Sequence, residues 1–317
     1  MKKRIGIIGL GNIAQKVYLP ILSKHTQVEI VGILSRNPET VNKLGELYRI
    51  ANRFTDLNSL LDKKPDAVFV HSPTETHFEI VLQCLKKGVH VYVDKPFSYS
   101  IKESHGMVKT AEENKLLLCA GFNRRFAPLY LEAKNFMEQA NGFTTCIAQK
   151  HRTKLQNLIS RETLYDDMIH ILDLLIWLNN GKFELADYRQ QTNKDDRLLH
   201  ASGTLHLNKA QGFFSMDRNA GHDLEKVELH GNGCSAEIIN MEIAKFAKQK
   251  TDETIKSFGS WDDILYRRGF TGIVNHFLDS IDKPSECLIT GKQVLATHEL
   301  VEQLIRMSEP GFMELKD

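Results

Sequence analysis

The sequence predicts two domains: an N-terminal α/β domain with a doubly wound parallel sheet over residues 1–121, and an α+β domain with a large open antiparallel sheet over 122–317. Three observations predict this. A short apolar run, Ile5–Ile8, leads into the glycine turn Gly9-Leu10-Gly11-Asn12-Ile13-Ala14 and then a helix-spaced series, Ile13, Val17, Ile21 and Leu22. Strand-like and helix-like segments alternate as far as Gly121, the rhythm of parallel strands joined by crossover helices. Beyond Gly121, strand-like segments follow one another with few helices between them, as in an antiparallel sheet with one covered face.

In the first domain, Val28–Leu34 reads as a second strand, followed by Asn37 as helix cap and Pro38 at the first helical position. Phe54-Thr55 is a short third strand, and Asp56 caps a helix around Leu60-Leu61. Ala67–Val70 is the fourth strand and ends at His71-Ser72-Pro73. Thr74 is the expected cap of a helix carrying Phe78, Val81, Leu82 and Leu85, closed by Gly88. His90–Val93 is the fifth strand and runs into Asp94-Lys95-Pro96. Ser100-x-x-Glu103 has capping-box spacing before the next helix, and Leu116–Ala120 is the sixth strand.

In the second domain a helix over Pro128–Gln139 is followed by strands at Phe143–Arg152, Leu185–Thr192, Ser202–Leu207, Gln211–Asp217, Lys226–Leu229 and Ala236–Asn240. A helix from Thr163 to Leu178, stopped by Asn179-Asn180-Gly181, interrupts them. Helices near Phe270–Ile281 and Gly291–Met307 complete the chain, the last expected to return to the first domain. The polar stretches Gln156–Ser160, Asn193–Asp196 and Gln249–Phe258 read as loops.

Composition narrows the function. With 317 residues and a formal net charge of +1, the chain has no long-range attraction for nucleic acid. Cys84, Cys119, Cys146, Cys234 and Cys287 form no C-x-x-C pair, so no disulfide framework or cysteine-based metal site is expected, and reduced thiols fit a cytoplasmic location. Met1 leads within a few residues into a strand, with no signal peptide. The most apolar helix carries Asp and His and is too short to span a bilayer, so no membrane partner is expected.

The chemistry gathers where strands end. Gly9 allows the tight turn, Gly11 lets a pyrophosphate approach the backbone, and Ala14 lets helix and strand pack closely. Asn12 and Ile13 complete the turn, where the helix offers free N–H groups and its positive dipole end. After the second strand stand Ser35-Arg36-Asn37, with no carboxylate for ribose hydroxyls and an arginine able to meet a 2′-phosphate. The cofactor expected is therefore NADP, with NAD the alternative. Read blandly, Ser35 and Asn37 cap a helix and Arg36 is solvated. Lys95 sits at a carboxyl strand end, suited to proton transfer, although a lone lysine is more often a surface residue. In the apolar helix Thr163–Leu178, Asp166, His170 and Asp173 lie at i, i+4 and i+7 on one face. Buried polar groups need partners, so this stripe faces either a site or a structural network; Thr163-x-x-Asp166 also matches a capping box.

Taken together, these motifs resemble the Gfo/Idh/MocA oxidoreductase family, nearest its MviM-like branch, over essentially the whole chain. The family's Glu-Lys-Pro appears as Asp94-Lys95-Pro96, its Thr-Pro-x-x-x-His as Ser72-Pro73-Thr74-Glu75-Thr76-His77, and its Asp-x-x-x-His followed by Asp as Asp166, His170 and Asp173. Gly121-Phe122-Asn123-Arg124-Arg125-Phe126 is similar to its segment after the sixth strand. The resemblance implies a Rossmann domain followed by an open antiparallel sheet, with the active site between them. It implies that Lys95 and His170 handle the proton, with Asp166 beside His170, and that Ser72, Pro73, His77, Asp94, Lys95 and Asn123 join Gly9, Gly11, Asn12, Ile13, Ser35 and Arg36 around the cofactor. It implies hydride transfer with a small sugar- or polyol-like substrate, and a homodimer or homotetramer formed through the sheet. Asp for Glu before Lys95, and Asp167-Met168 in place of small and apolar residues before His170, depart from the pattern. A catalytically inactive nucleotide-binding regulator and a reductase of a non-sugar substrate are the competing readings.

Overall fold

The computed structural model describes residues 1–308; positions 309–317, the end of the expected second domain, lie outside the described residues. The chain divides into two units, one made of Met1–Phe122 and Phe270–Leu295, the other of Asn123–Gly269 and the segment from Ala296.

The first unit is a six-stranded parallel sheet in the order β3-β2-β1-β4-β5-β6, with strands Lys3–Ile8, Val28–Leu34, Arg53–Phe54, Ala67–Val70, His90–Val93 and Leu118–Ala120 numbered β1 to β6 along the chain. Ile5, Ile7 and Ile8 and all of Ala67–Val70 are buried, as strands covered on both faces require. The strand order reverses between β1 and β4, and ligands of such sheets sit beyond the carboxyl ends at that point. Phe69, Tyr92 and Phe277 lock the core: Phe277 meets Phe69 edge-on at 5.3 Å, and Phe69 lies 4.8 Å from Tyr92. Phe277 belongs to the helix Phe270–Asp282, so the chain returns to this unit to complete its core.

The first helix opens with a π turn, Ala14–Tyr18, continued by Leu19–Leu22. Pro20 explains the widening, because it has no N–H and its ring crowds the carbonyl four residues back. Asn37 caps the helix Pro38–Leu47, accepting from the N–H groups of Glu39 and Thr40, and Asp56 caps Leu57–Leu61. Two expected caps do not form. Thr74 starts a short 3₁₀ turn, Thr74–Thr76, and the helix proper begins at His77. The Ser100 hydroxyl makes no capping bond; Ser98 takes both partners instead, donating to Glu103 and accepting from the Ser100 N–H.

The second unit is an eight-stranded sheet in the order β14-β13-β12-β11-β7-β10-β9-β8, with β7 Thr145–His151, β8 Phe183–Thr192, β9 Leu198–Leu207, β10 Ala210–Asp217, β11 Leu224–Gly231, β12 Cys234–Ile239, β13 Ile243–Lys248 and β14 Thr254–Ser257. It is mixed rather than purely antiparallel, because β7 and β10 run parallel at its centre. Residues expected to be a loop form β14, an edge strand exposed at all four positions; it joins the sheet through its backbone, so no alternation marks it in the sequence. Elsewhere the period of two is clear. Cys146 and Ala148 of β7, Gly212, Phe214 and Met216 of β10, and Val227 and Leu229 of β11 are buried, whereas Phe213 is 41% exposed on the other face.

The inner face is covered by Pro128–Gln139 and by a continuous helix, 160–178, which packs on β7 and β10. We call it the site helix; it comprises Ser160–Thr163, a π turn Leu164–Met168, and Ile169–Leu178. Gly181, at φ +92°, returns its N–H to the Ile176 carbonyl, and Lys134 reaches the carbonyls of Trp177 and Leu178, where a helix C-terminus favours a cation. No described helix is long and apolar enough to cross a membrane.

Candidate functional site

In the first unit the candidate residues lie at the carboxyl ends of the strands. Gly9 has φ +83°, and a Cβ built on it would stand 2.4 Å from the Ser72 nitrogen, so only glycine lets the β1 turn and the β4 exit pass this closely. A Cβ on Gly11 would meet nothing within 4 Å, and Gly11, Asn12 and Ile13 are exposed. Ala14 behind them is fully buried. The turn thus presents open backbone at the start of a helix, a cradle that fits a dinucleotide pyrophosphate.

Beside it, the Ser35 hydroxyl accepts from the Asn37 N–H, and Asn37 is spent on its cap. Arg36 is exposed and makes no ion pair among the described residues. Capping and an available guanidinium coexist at this strand end.

The β4 and β5 exits are tied together by two histidines. His71 stacks on Tyr18 at 3.9 Å and holds the Asp94 carboxylate through Nδ1 at 2.8 Å. Burial pushes the Asp94 carboxyl up, but His71 and His77 outweigh it and hold the pKa below its ordinary value. The Tyr18 and Tyr92 hydroxyls bond to each other at 2.8 Å, and burial raises both phenols. His77 is 1% exposed and lies between the Ser72 carbonyl, 2.9 Å from Nε2, and the Pro96 carbonyl, 3.0 Å from Nδ1. Burial, which favours the neutral ring, lowers its pKa despite Asp94 and these carbonyls. A neutral ring donates to only one of them at a time. His77 therefore shapes the loops holding Ser72, Pro73 and Lys95 and does not itself project from the surface. Ser72 and Lys95 are half-buried and Pro73 is exposed.

In the second unit, Asn123 is 4% exposed and donates to the Arg268 carbonyl at 2.7 Å. Along the site helix the three polar residues part company. Asp173 is fully buried, accepts from Arg125 at 2.6 and 2.9 Å, and accepts from the Thr297 hydroxyl at 3.0 Å. Asp166 is half-buried and accepts from Gln156, while His170 is 8% exposed. The capping box does not form: the helix starts at Ser160, and the buried Thr163 hydroxyl has no hydrogen-bond partner among the described residues.

Sequence reasoning missed a charged cluster under this helix. Lys150 of β7 lies opposite Glu225 of β11 in the strand register, both on the inner face. The Lys150 ammonium is 2.6 Å from Asp167 and 3.5 Å from Glu225. Arg124 forks onto Glu225 at 2.6 and 2.8 Å, while Arg218 and Arg152 both approach Asp167. Burial and the neighbouring Arg124 pull the Lys150 pKa down to about 8, against the two carboxylates. The signal was strand parity: Lys150 continues Cys146 and Ala148, Glu225 precedes Val227 and Leu229, and Arg218 follows Phe214 and Met216, all on inward positions. A cavity of about 780 Å³ in the first unit, lined by residues including Lys3, Lys64, Asp66, Gly88, His90 and Asp282, lies at the opposite, amino ends of these strands and holds none of the candidate residues.

Comparison with known proteins agrees with this architecture. Residues 3–122 match the model of the oxidoreductase family GFO_IDH_MocA, NAD-binding Rossmann fold, and residues 128–249 match the YceM-like C-terminal domain. A Salmonella typhimurium protein named as an oxidoreductase, YceM, is 34% identical over 96% of this chain and 97% of its own. A crystal structure of a dehydrogenase (MviM) from Clostridium difficile superposes with a TM-score of 0.91 at 35% identity, covering 97% of this chain and all of that one. The myo-inositol 2-dehydrogenase of Thermotoga maritima is 30% identical over 43% of this chain and 40% of its own. A nucleotide turn of this form, on a sheet of this order, followed by a second unit that matches along nearly its whole relative, places the chain in the Gfo/Idh/MocA family of NAD-binding oxidoreductases.

Proposed function

We propose that this oxidoreductase interconverts an alcohol and a carbonyl on a sugar- or polyol-like substrate, with NADP as the preferred cofactor. The observation that carries the reading is the open turn at Gly11 in front of a helix N-terminus, with the unpaired Arg36 at the neighbouring strand end. Gly9, Gly11, Asn12 and Ile13 would hold the pyrophosphate; Ser35 and Arg36 would hold the adenosine ribose and its phosphate; Ser72, Pro73, Asp94, Lys95 and Asn123 would line the rest, with His77 fixing the loops. When bound, the nicotinamide supplies hydride exchange. The chain's own residues then have one proton to move. His170 takes it from or returns it to the substrate hydroxyl on a ring nitrogen, with Asp166 one turn earlier to hold its ring. Lys95 places positive charge at the oxygen that gains electron density. The names of relatives such as the inositol dehydrogenase support a polyol-like substrate.

Nucleotide titration tests the cofactor assignment. NADPH should bind roughly ten- to a hundredfold tighter than NADH, the worth of charge-assisted hydrogen bonds to one phosphate, and Arg36→Ala should remove most of the difference. Equal or tighter NADH binding that Arg36→Ala leaves alone would refute it.

A further inference from the structure

We propose that Lys150, Arg152 and Arg218, gathered around Asp167 beneath the site helix, form an oxyanion subsite that selects substrates carrying a carboxylate or phosphate. This deepens the dehydrogenase reading and rests on it for the word substrate.

Four cations, Arg124, Lys150, Arg152 and Arg218, share two carboxylates, Asp167 and Glu225. Both carboxylates are largely buried, with side chains 16% and 4% exposed, and the Lys150 side chain is 1% exposed. Outside the cluster, the exposed Asp223 carboxylate is held low first by the Thr153 N–H and hydroxyl it accepts from, and only then by Arg152 and Arg218. Counting it still leaves one positive charge without a counterpart. The other nearby groups are Asp217 and the histidines His151, His200 and His222; after burial, His151 feels Asp217 first, then His200, His222 and Arg152. Buried charges in folded proteins are paired; with the Arg152 side chain 26% exposed, the surplus lies at the edge of the cluster, where a negative group can arrive from outside.

The second observation is the geometry of Arg218. Its side chain is 7% exposed and contacts Asp167 through one terminal nitrogen, yet its Nε–H is buried with no hydrogen-bond partner among the described residues. A guanidinium edge left open in this way matches the two oxygens of a carboxylate or phosphate, which it binds as a fork. Arg152, with a side chain 26% exposed, is the member of the cluster that reaches solvent.

Position links the cluster to the reaction. Asp167, which holds three of the cations, precedes His170 by three residues, and i, i+3 residues are neighbours on a helix. An anion held there lies about one helical turn from the proposed proton carrier. A purely structural network explains the ion pairs, but leaves both the excess charge and the open Arg218 donor without a role.

The test is calorimetric titration of the NADPH-loaded protein, whose reduced cofactor cannot accept hydride from an alcohol, with glucose, glucose 6-phosphate and glucuronate at matched ionic strength. Either anion, or both, should bind about ten- to a hundredfold tighter than glucose, and which one does identifies the group recognised. Arg218→Gln should abolish the preference, and Arg218→Lys, which keeps the charge but not the fork, should restore only part of it. Arg152→Gln, at a more exposed position, should weaken the preference and covers the case in which the Arg218 variants fold poorly. Anions that bind no tighter than glucose, or a preference that survives both glutamine variants, would overturn the proposal. Because binding is read without turnover, the two readings fail separately: turnover of neutral polyols without anion preference sinks the subsite alone, and anion preference without turnover counts against the dehydrogenase alone.

Discussion

Glu225→Gln tests whether the charged cluster holds the second unit together. Burial alone would push the Glu225 carboxyl up; Arg124, Lys150 and Arg152 more than reverse this and hold it down at about 2, against an ordinary 4.5. A gap of that size corresponds to about 3 kcal/mol of folding stability at neutral pH. The contacts give a similar figure. Glutamine keeps the shape but turns an amide NH₂ toward one arm of the Arg124 fork and leaves Lys150 with Asp167 as its only carboxylate, and breaking a buried pair from one side costs about 3–5 kcal/mol. The sign with pH follows from the lowered pKa. The stabilisation is fully present above about pH 4.5, where an unfolded glutamate is already ionised, and is lost as pH falls toward 2. The acid limb of the difference between wild type and Glu225→Gln should therefore be fully present at pH 5 and shrink below 4.5. Urea unfolding followed by tryptophan fluorescence reads the correct unit, because both tryptophans, Trp177 and Trp261, belong to it. A variant within about 0.5 kcal/mol of wild type at pH 7, the range of an ordinary surface substitution, or a difference that does not respond to acid, would refute the account.

Three further outcomes are expected. Lys95→Ala and His170→Ala should each lower turnover by about 10²–10⁴-fold with nucleotide affinity nearly unchanged; steady-state kinetics beside nucleotide titration checks this, and a parallel loss of nucleotide affinity would move the residue from the chemistry to the cofactor. Asp173→Ala should act on stability, by about 3–5 kcal/mol, because it removes the carboxylate that pairs with the buried Arg125 guanidinium and accepts from the Thr297 hydroxyl; a thermal midpoint equal to wild type would contradict that. The chain should form a homodimer or homotetramer through the outer face of the second sheet, where Phe213 is 41% exposed, and light scattering that finds a monomer at high micromolar concentration would count against it.

The first unit was legible because its signals are local. Apolar runs, the Gly9–Ala14 turn, and the Asn37 and Asp56 caps each act within a few residues, and each formed where its spacing indicated. The caps that failed did so through competition a short motif cannot display: Ser98 bonds Glu103 before Ser100 can. The helix of the second unit was legible as a buried element with a polar stripe, but the partners were not. Arg125 meets Asp173 across 48 residues and Lys150 meets Glu225 across 75, pairings set by tertiary register. Strand parity marked Lys150, Glu225 and Arg218 as inward-facing, yet a lysine at a strand end ordinarily reads as a solvated terminus. β14 escaped because an exposed edge strand carries no alternation.

The return of residues 270–295 to the first unit bears on how the chain is made. When a ribosome has released Met1–Phe122, the parallel sheet has all six strands but lacks Phe277, the ring that closes over Phe69 and Tyr92. Another 155 residues must be added after Phe122 to reach Phe277, roughly 8–30 s of synthesis at typical rates. Throughout that interval an aromatic face of the nascent sheet stays uncovered while Asn123–Gly269 emerges. The nucleotide-binding unit, although it comes first in the message, is completed only once residues 270–295 have emerged, so a chain truncated anywhere before the Phe270–Asp282 helix should fall to chaperones or proteolysis rather than accumulate as a free nucleotide-binding fragment.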